Sequence, residues 1–231
     1  MTVFKGALRR GLMKPASLLA NCVLPIVFMV AAQSETFAME GGRGLFMLAF
    51  LLMFGAFMMA GGIQADKLSG VTTRILAGPI TFRSYLIQNF LAGIVPMSVL
   101  MLVLGGMGIV LHEWTLPFAL GVALLLLMLS TTSIGLSFVW ACLFKDKEAS
   151  VVAFTLIMML MGMVGGLMFP QSVMPPALRH IGAIFPPHWV ARGLEDMIVY
   201  GAFTTEYWLS LLALVLFSVA LLAYGSKKRL A

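Results

Sequence analysis

The sequence predicts an all-α integral membrane protein with six transmembrane helices. Of its 231 residues, 61% are hydrophobic and only 10% are charged, and the mean hydropathy is +1.03. Soluble domains are about half apolar and a quarter charged, so one aqueous core would not bury this surplus of apolar side chains. Apolar runs of membrane-spanning length and an uneven distribution of positive charge between them support the same class. Residues 1–231 are expected to form a single transmembrane domain.

A helix needs about 20 apolar residues to cross a bilayer. Runs of this kind cover residues 16–32, 45–63, 85–111, 116–143, 150–169 and 207–224. The first follows basic residues, as the core of a secretory signal would. Its basic segment is long, however, and no small-residue cleavage site precedes the polar "AAQSE", so a retained span is expected. Cys22 and Cys142 lie inside apolar runs without CxxC or Cys/His spacing, which disfavours a disulfide or a metal site.

The distribution of Lys and Arg predicts the orientation of the spans. Six spans place both termini on one side, and the segments of that side hold twelve of the fifteen Lys and Arg residues. The other side holds Arg43, Arg179 and Arg192. Positive charge accumulates on the cytoplasmic side, so both termini are predicted to be cytoplasmic in a multi-pass protein of the cytoplasmic membrane. Topology thus explains the net charge of +6, and no nucleic-acid partner is predicted.

Residues 1–15 are expected to form an amphipathic helix that lies at the membrane surface. Phe4, Leu8 and Leu12 recur every four residues, with Lys5 and Arg9 beside them. An apolar stripe next to a basic one suits the lipid headgroup region. A basic tail that only anchors the orientation is the alternative.

Residues 64–84, "QADKLSGVTTRILAGPITFRS", form the cytoplasmic segment between the second and third spans. Asp66 is expected to cap the start of a short amphipathic helix, Gly78-Pro79 to end it, and Thr81 to cap the next helix. Such a helix between two spans suits the docking of a cytoplasmic partner. A simple connection between two helices is the alternative.

The second cytoplasmic loop, "FKDKEAS", is charged. It is interpreted either as a further partner contact or as a solvated cluster that holds the helix ends at the surface. The residues concerned are Lys145, Asp146, Lys147 and Glu148.

Residues 170–205 predict a re-entrant helical hairpin on the outer side. Two apolar segments, each too short to span, are separated by Pro186-Pro187. Broken helices survive at membrane depth only when protein covers them or when they line a cavity, so the hairpin is a candidate outer gate. Arg192 is expected to pair with Glu195 or Asp196 at helical spacing. The gate residues are Pro175, Pro186, Trp189 and Glu195.

The polar residues within the spans disfavour ion-coupled transport. No Asp, Glu, Lys or Arg lies deep in a span, whereas proton- or ion-coupled carriers often need one there. The run Ser130–Ser133 is expected to bond helix to helix and not to bind substrate. Gly162 and Gly166 allow close helix packing in the fifth span, either with a second subunit or within this one.

Methionine is abundant in the fifth span, where it is distributed all around the helix. Lipid-facing and packing roles are therefore favoured over copper binding. A subset of apolar residues is a candidate lining for a hydrophobic pathway, namely Phe28, Met29, Phe154, Met158 and Met161. HExxH, GxSxG and paired intramembrane aspartates are absent from the sequence, so a transport subunit is predicted and not an enzyme.

The segment after the second span resembles that of the permease subunits of type-2 ABC exporters. The family has an acidic residue, a glycine four residues later and then Leu-x-x-Pro, and this segment contacts the ATPase. Asp66, Gly70, Leu76 and Pro79 match these positions, although Lys67 stands where the family more often pairs Glu with Arg. The implied coupling residues are therefore Asp66, Gly70, Arg74, Leu76 and Pro79. The order Phe169-Pro170, Pro175, Pro186, Gly201 also matches, and the resemblance covers nearly the whole chain.

The resemblance implies that a separate ABC ATPase subunit binds ATP and Mg and hydrolyses the ATP. The sequence has no GxxxxGK[ST] phosphate loop, and no cofactor is expected in this chain. Two permease subunits, identical or paralogous, would form the pathway within membrane lipid, with the first and fifth spans meeting the partner. The implied activity is outward transport of a hydrophobic or amphipathic substrate, such as a drug, an antimicrobial peptide or a lipid-linked molecule. A non-transporting membrane scaffold or assembly protein is the alternative, and an ion-coupled carrier is disfavoured.

Overall fold

Helices account for all the regular secondary structure that the computed structural model describes. The described residues are 2–13, 19–31, 43–78, 80–143, 146–169, 171–201 and 203–227. The all-α class is confirmed for them. Their α-helices are α1 (Thr2–Met13), α2 (Leu24–Ala31), α3 (Arg43–Leu68), α4 (Val71–Leu76), α5 (Phe82–Leu111), α6 (Leu116–Leu143), α7 (Lys147–Gly165), α8 (Pro176–Gly182), α9 (Pro186–Tyr200) and α10 (Thr205–Lys227). A π-helical turn, Leu19–Val23, precedes α2, and a 3-10 turn, Gln171–Val173, precedes α8.

Four of these helices are long and apolar enough to cross a membrane: α5, α6, α7 and α10. Shorter apolar segments occupy Asn21–Ala31 and Gly44–Met58, within the first and second predicted spans. The described residues thus support a multi-pass membrane protein. The count of six spans stays a prediction.

Helix α6 is the centre of the bundle. Of an apolar 18-residue stretch in each helix, 67% is buried inside the chain in α6 and 17% in α10. It packs against α3, α5 and α10, with Leu125, Leu126 and Leu129 buried between them. The outer helices instead leave long rows of Val, Leu and Ile exposed, as lipid-facing helices do.

Helices α6 and α10 run parallel and in register. The Tyr207 hydroxyl donates to Gly121 O at 3.0 Å, and Thr132 Oγ1 lies 2.8 Å from Ser218 Oγ. Both pairs are 86 residues apart in the chain, so the two helices keep a constant register along their length. A Cβ on Gly135 would lie only 3.2 Å from Leu221 Cβ, so glycine allows the close approach here.

The Ser/Thr run bonds helix to helix, as predicted. Thr131 and Thr132 both reach Ser218, and the Thr132 hydroxyl also lies 3.3 Å from Leu214 O. All four hydroxyls lie within hydrogen-bond distance of a carbonyl of α6 itself, and Ser130 and Ser133 bond only there. A hydroxyl in an apolar bundle therefore finds a partner either across the interface or one turn back along its own helix.

The bundle has two ends, which we call the α4 end and the α9 end after the short helix that lies at each. At the α4 end, Phe4 N–H donates to Gln88 Oε1 at 3.2 Å, which places α1 against the start of α5. At the α9 end, His112 Nε2 lies 3.0 Å from Met29 O. Helix α10 starts at the α9 end and finishes where Gly225 approaches Val139, near the end of α6. Both α1 and the end of α10 thus lie at the α4 end; its cytoplasmic location stays a prediction from charge.

Helix α1 occupies the region predicted to be amphipathic. Val3 is buried in the contact with the bundle, whereas Lys5 and Arg9 are exposed. The helix has an apolar side against α5 and a basic side away from it. Its position at the membrane surface stays a prediction.

Candidate functional site

The predicted coupling helix is present as α4 and lies between two glycine turns. Gly70 adopts φ +70°, a left-handed conformation that glycine reaches without strain, and its carbonyl accepts from Arg74 N–H at 3.2 Å. Gly78 N–H donates to Ile75 O at 3.2 Å after the last helical residue, Leu76. Ile75 packs against the core and Arg74 is exposed. The helix therefore presents a basic side chain outward while an apolar one attaches it to the bundle. Pro79 lies outside the described residues.

The prediction that Asp66 caps the coupling helix is wrong. The first helix-breaking residue after the second span is Gly70, so α3 continues through Leu68 and Asp66 lies in its last turn. There Asp66 Oδ2 accepts a hydrogen bond of 2.8 Å from the Tyr85 hydroxyl. Asp66 is only 5% exposed and Tyr85 is fully buried. The carboxylate thus fastens α3 to α5 on either side of α4.

Sequence reasoning missed Tyr85. It lies 19 residues from Asp66 and looks like an ordinary aromatic residue at the start of a span. The predicted cap at Thr81 is confirmed, since its side chain accepts from Ser84 N–H at 3.3 Å. The cap fixes the start of α5 at Phe82, and Tyr85, three residues later, bonds Asp66.

Further contacts fasten the same end of the bundle. Lys67 Nζ lies 3.5 Å from Ala141 O, in the last turn of α6, where helix carbonyls lack intrahelical partners and cations are favoured. Trp140 Nε1 donates to Ser150 O at 3.1 Å and ties α6 to α7. Displacement of α4 would thus act on helices that are bonded to one another.

The second cytoplasmic loop contributes a helix cap at this end. Asp146 accepts a hydrogen bond of 3.0 Å from Ala149 N–H, and α7 begins at Lys147, three residues before the predicted span. Glu148 is exposed in the first turn of α7, where the helix dipole stabilises a negative charge. Asp146 therefore has a structural role, and contact with a partner stays a prediction for these residues. Lys145 lies outside the described residues.

At the α9 end, the predicted pair of short helices is present as α8 and α9. Pro175 precedes α8 and Pro186 is the first residue of α9, positions at which proline favours a helix start. Trp189 Nε1 donates to Ala183 O at 2.9 Å and closes the turn between the two helices. One face of α9 is buried against α6, α7 and α10, with Val190, Leu194 and Met197 in the contact. Insertion of this hairpin into a lipid leaflet stays a prediction.

The predicted ion pairs within α9 are wrong. Arg192 Nη2 lies 2.6 Å from Glu206 Oε2 in α10, and Asp196 accepts the Thr204 hydroxyl. The start of α10 and the residue before it pack across α9, so Glu206 and Thr204 replace the neighbours at helical spacing. Both members of the Arg192–Glu206 pair are more than two-fifths exposed, which limits the stability it contributes.

A buried polar cluster surrounds Gln171, between α7 and α8. Its side-chain amide lies 3.2 Å from His188 O, 3.3 Å from His188 Nδ1 and 3.5 Å from Gly165 O. Arg179 Nη2 donates to Gln171 O at 2.9 Å. Gln171 is 8% exposed and His188 is 5% exposed. In the sequence, Gln171 lies between prolines and belongs to no motif of fixed spacing, so it was not predicted as a site residue.

The burial of this cluster shifts two pKa values. Burial lowers the pKa of His188, and the positive charges of Arg192 and Arg179 lower it further. Burial raises the pKa of Glu195, which the Gln171 N–H and Arg179 partly oppose. Removal from water disfavours the charged form of either group, so the cluster favours a neutral imidazole. Among the described residues, no three His, Cys, Asp or Glu side chains are grouped to hold a metal ion.

Comparison with known proteins identifies the family of this chain. Residues 24–227 match the family model described as ABC-2 family transporter protein. The chain belongs to the ABC-2 transporter family. It is also similar to the linearmycin resistance permease protein LnrN of Bacillus subtilis (strain 168), with 26% identity over 181 residues. These residues are 76% of this chain and 45% of that relative, so this chain matches less than half the relative's length. Family membership and the four helices of spanning length support a membrane subunit of an ABC transporter.

In this ABC-2 permease, the predicted pathway residues lie mostly in the interior of the chain. Met29, Phe154 and Met158 are buried, and Phe154 stacks on Phe57 with ring centroids 3.4 Å apart and an interplanar angle of 9°. Met161 is also buried and Phe28 is partly buried against the core. A role in lining a pathway requires rearrangement of this core and stays a prediction.

The two glycines of the fifth span pack against the permease's own chain. A Cβ on Gly162 would lie 2.8 Å from the Phe50 ring of α3. Gly166 caps α7 in a left-handed conformation, φ +94°, and a Cβ there would lie 2.7 Å from Gln171 Cγ. These contacts match the interpretation as packing within one subunit. The use of this face by a second permease subunit stays a prediction.

Proposed function

We propose that this chain is the permease subunit of an ATP-driven exporter that moves a hydrophobic or amphipathic substrate outward across the cytoplasmic membrane. Family membership supports the ATPase partnership, and the bias of Lys and Arg supports a cytoplasmic α4 end. The relative's name refers to linearmycin resistance, which supports a toxic compound as the class of substrate. Drugs, antimicrobial peptides and lipid-linked molecules all fit this class.

The arrangement around α4 is the observation that carries the mechanism. Arg74 is exposed for docking, and the helices on either side of α4 are joined by the buried Asp66–Tyr85 hydrogen bond. Closure of two ATPase subunits on ATP would displace α4, and this bond would move the ends of α3 and α5 together. The Lys67 contact with Ala141 would extend the displacement to the central helix, α6.

The outer side of the proposed pathway is the α8–α9 hairpin. In the proposed cycle, movement of α7 and α6 reaches the hairpin through its buried face and opens an exit beneath it. Two copies of the permease, identical or paralogous, would enclose the substrate between them. ATP and Mg would stay in the ATPase subunits.

The test is purification of the tagged chain from its native host, followed by assays in lipid vesicles. A stoichiometric ATPase is expected to co-purify with the chain. Inverted vesicles are expected to take up an apolar fluorescent compound when ATP is supplied. Gly70→Pro is expected to abolish substrate-stimulated hydrolysis, because proline excludes the φ of +70°. Full activity of the chain in vesicles without any ATPase would contradict the proposal. A stable assembly that lacks ATP-dependent uptake would favour a scaffold.

A further inference from the structure

Gln171 connects three helices at the α9 end through different groups. Its side-chain amide reaches Gly165 at the end of α7 and His188 at the start of α9. Its carbonyl accepts from Arg179 of α8. Gln171 is itself buried, so its hydrogen bonds join the ends of α7, α8 and α9 away from competing water.

The backbones of α7 and the hairpin approach closely beneath Gln171. A Cβ on Gly165 would lie 2.7 Å from Pro187 Cβ, and one on Gly166 would lie 3.3 Å from Ala191 Cβ. The start of α9 thus rests directly on the last turn of α7, with Gln171 at the edge of the contact. Ala191 is fully buried there.

Helix α8, by contrast, is little held by packing. Leu178 and Ile181 are exposed, as are the other residues from 176 to 181. The apolar contact that would resist displacement of α8 is therefore small. Three specific contacts join α8 to its neighbours: the Arg179 bond to Gln171, the close approach of buried Gly182 to Val164 O of α7, and the Trp189 bond to Ala183 O after the end of α8.

The geometry points to Gln171 as a latch, a positioning residue that holds the α8–α9 hairpin closed against the end of α7. Release of its hydrogen bonds frees the hairpin to move away and exposes the surface around Ala191. In the proposed exporter, which this inference extends, that surface is the exit used by the apolar substrate. The latch thus sets how often the outer end opens without the ATPase.

The latch is tested by the labelling rate of a buried cysteine in the full chain. Cys22→Ala and Cys142→Ala remove the native thiols, and Ala191→Cys supplies the reporter. The protein is placed in lipid nanodiscs, so that N-ethylmaleimide reaches both faces. Gln171→Met keeps the length of the side chain and removes the amide. Labelling about tenfold faster than with Gln171 is expected, since the net contribution of one good hydrogen bond is about a tenfold change in equilibrium.

A second reporter and a second glutamine provide matched controls. Ala119→Cys tests a buried alanine near the start of α6, at the same end of the bundle. Its labelling is expected to be unchanged by Gln171→Met. Gln88→Met, at the α4 end, is expected to leave the Ala191→Cys rate unchanged.

Arg179→Met is a milder variant, because Arg179 is exposed and its loss removes a single bond to Gln171. About threefold faster labelling at Ala191→Cys is expected from it. Wild-type rates in both Gln171→Met and Arg179→Met would overturn the latch, as would equal acceleration at both reporters. The assay contains no ATPase and no substrate, so its failure leaves the exporter proposal standing. Absence of a co-purifying ATPase overturns the exporter proposal and leaves the labelling result unaffected.

Discussion

The Tyr85 hydroxyl donates a hydrogen bond of 2.8 Å to Asp66 Oδ2 where the end of α3 meets the start of α5. Both side chains are buried, so water does not compete for this bond. Helix α4 connects the same two helix ends and has an exposed arginine, Arg74. A force applied to α4 therefore acts on two helices that are already joined.

Tyr85→Phe tests this joint. The substitution keeps the ring and removes the donor to a buried carboxylate, which is expected to destabilise the permease by about 1–3 kcal/mol. Substrate-stimulated ATP hydrolysis is expected to fall more than basal hydrolysis, because force transfer weakens while the ATPase stays intact. Tyr200→Phe is the control, since Tyr200 is 68% exposed. Equal activity and stability of the two variants would remove the joint from the mechanism.

Gly70→Ala tests the left-handed turn before α4. An L-residue with a side chain is strained at φ +70°, so a loss of about 1–2 kcal/mol is expected in an unfolding titration. Gly106→Ala is the matched control, because Gly106 lies in α5 with open space around it. A Gly70→Ala variant as stable as Gly106→Ala would show that the turn tolerates other backbone conformations.

Thr132→Val tests the register of α6 and α10. The variant removes the 2.8 Å contact with Ser218 and keeps the shape of the side chain. A loss of about 0.6 kcal/mol is expected, the average for such bonds between membrane helices. Thr155→Val is the comparison, because both hydroxyls lie within bonding distance of a carbonyl of their own helix and Thr132 in addition contacts Ser218. A larger loss in Thr155→Val would contradict the assignment of the interhelical bond.

His188→Gln tests the pH dependence of the Gln171 cluster. Burial, Arg192 and Arg179 lower the pKa of His188 in the folded chain, so the unfolded chain binds more protons as the pH falls below about 6.5. The wild type therefore loses stability from pH 7 to pH 5 through His188, and the glutamine variant does not. The melting temperature of the wild type minus that of His188→Gln is expected to decrease over this range. Glu195 is present in both proteins, so its own titration largely cancels. A difference that stays constant would place His188 in a solvated site.

The features that depend on apolar composition and local chemistry were predictable from the sequence, whereas the partner residues on other helices were not. The apolar runs and the Thr81 cap follow from local chemistry, and the hydroxyl of Thr132 in an apolar run predicts a bond across helices without identifying Ser218 as its partner. The predicted cap at Asp66 was wrong because α3 extends to Leu68 before a glycine stops it. The predicted partner of Arg192 was wrong because helix packing supplies Glu206, which is distant in sequence.

Gln171 and Tyr85 were missed for the same reason. Each makes its hydrogen bonds to residues on another helix, and neither belongs to a motif with a fixed spacing. Gly166, in contrast, was singled out as a packing residue, and its left-handed φ and its proximity to Gln171 provide the physical reason. A glycine in the sequence indicates where the chain bends or approaches another segment closely. It does not indicate which side chain of that segment lies opposite.

The central claim, that an ATPase docks on α4, is tested most directly by photo-crosslinking in the purified complex. A benzophenone amino acid replaces Arg74, which is exposed on α4, or Glu113, which is exposed in the turn between α5 and α6 at the opposite end. Illumination at position 74 is expected to give a covalent product with the ATPase subunit, and position 113 is expected to give none. A product from position 113 and none from position 74 would contradict the account.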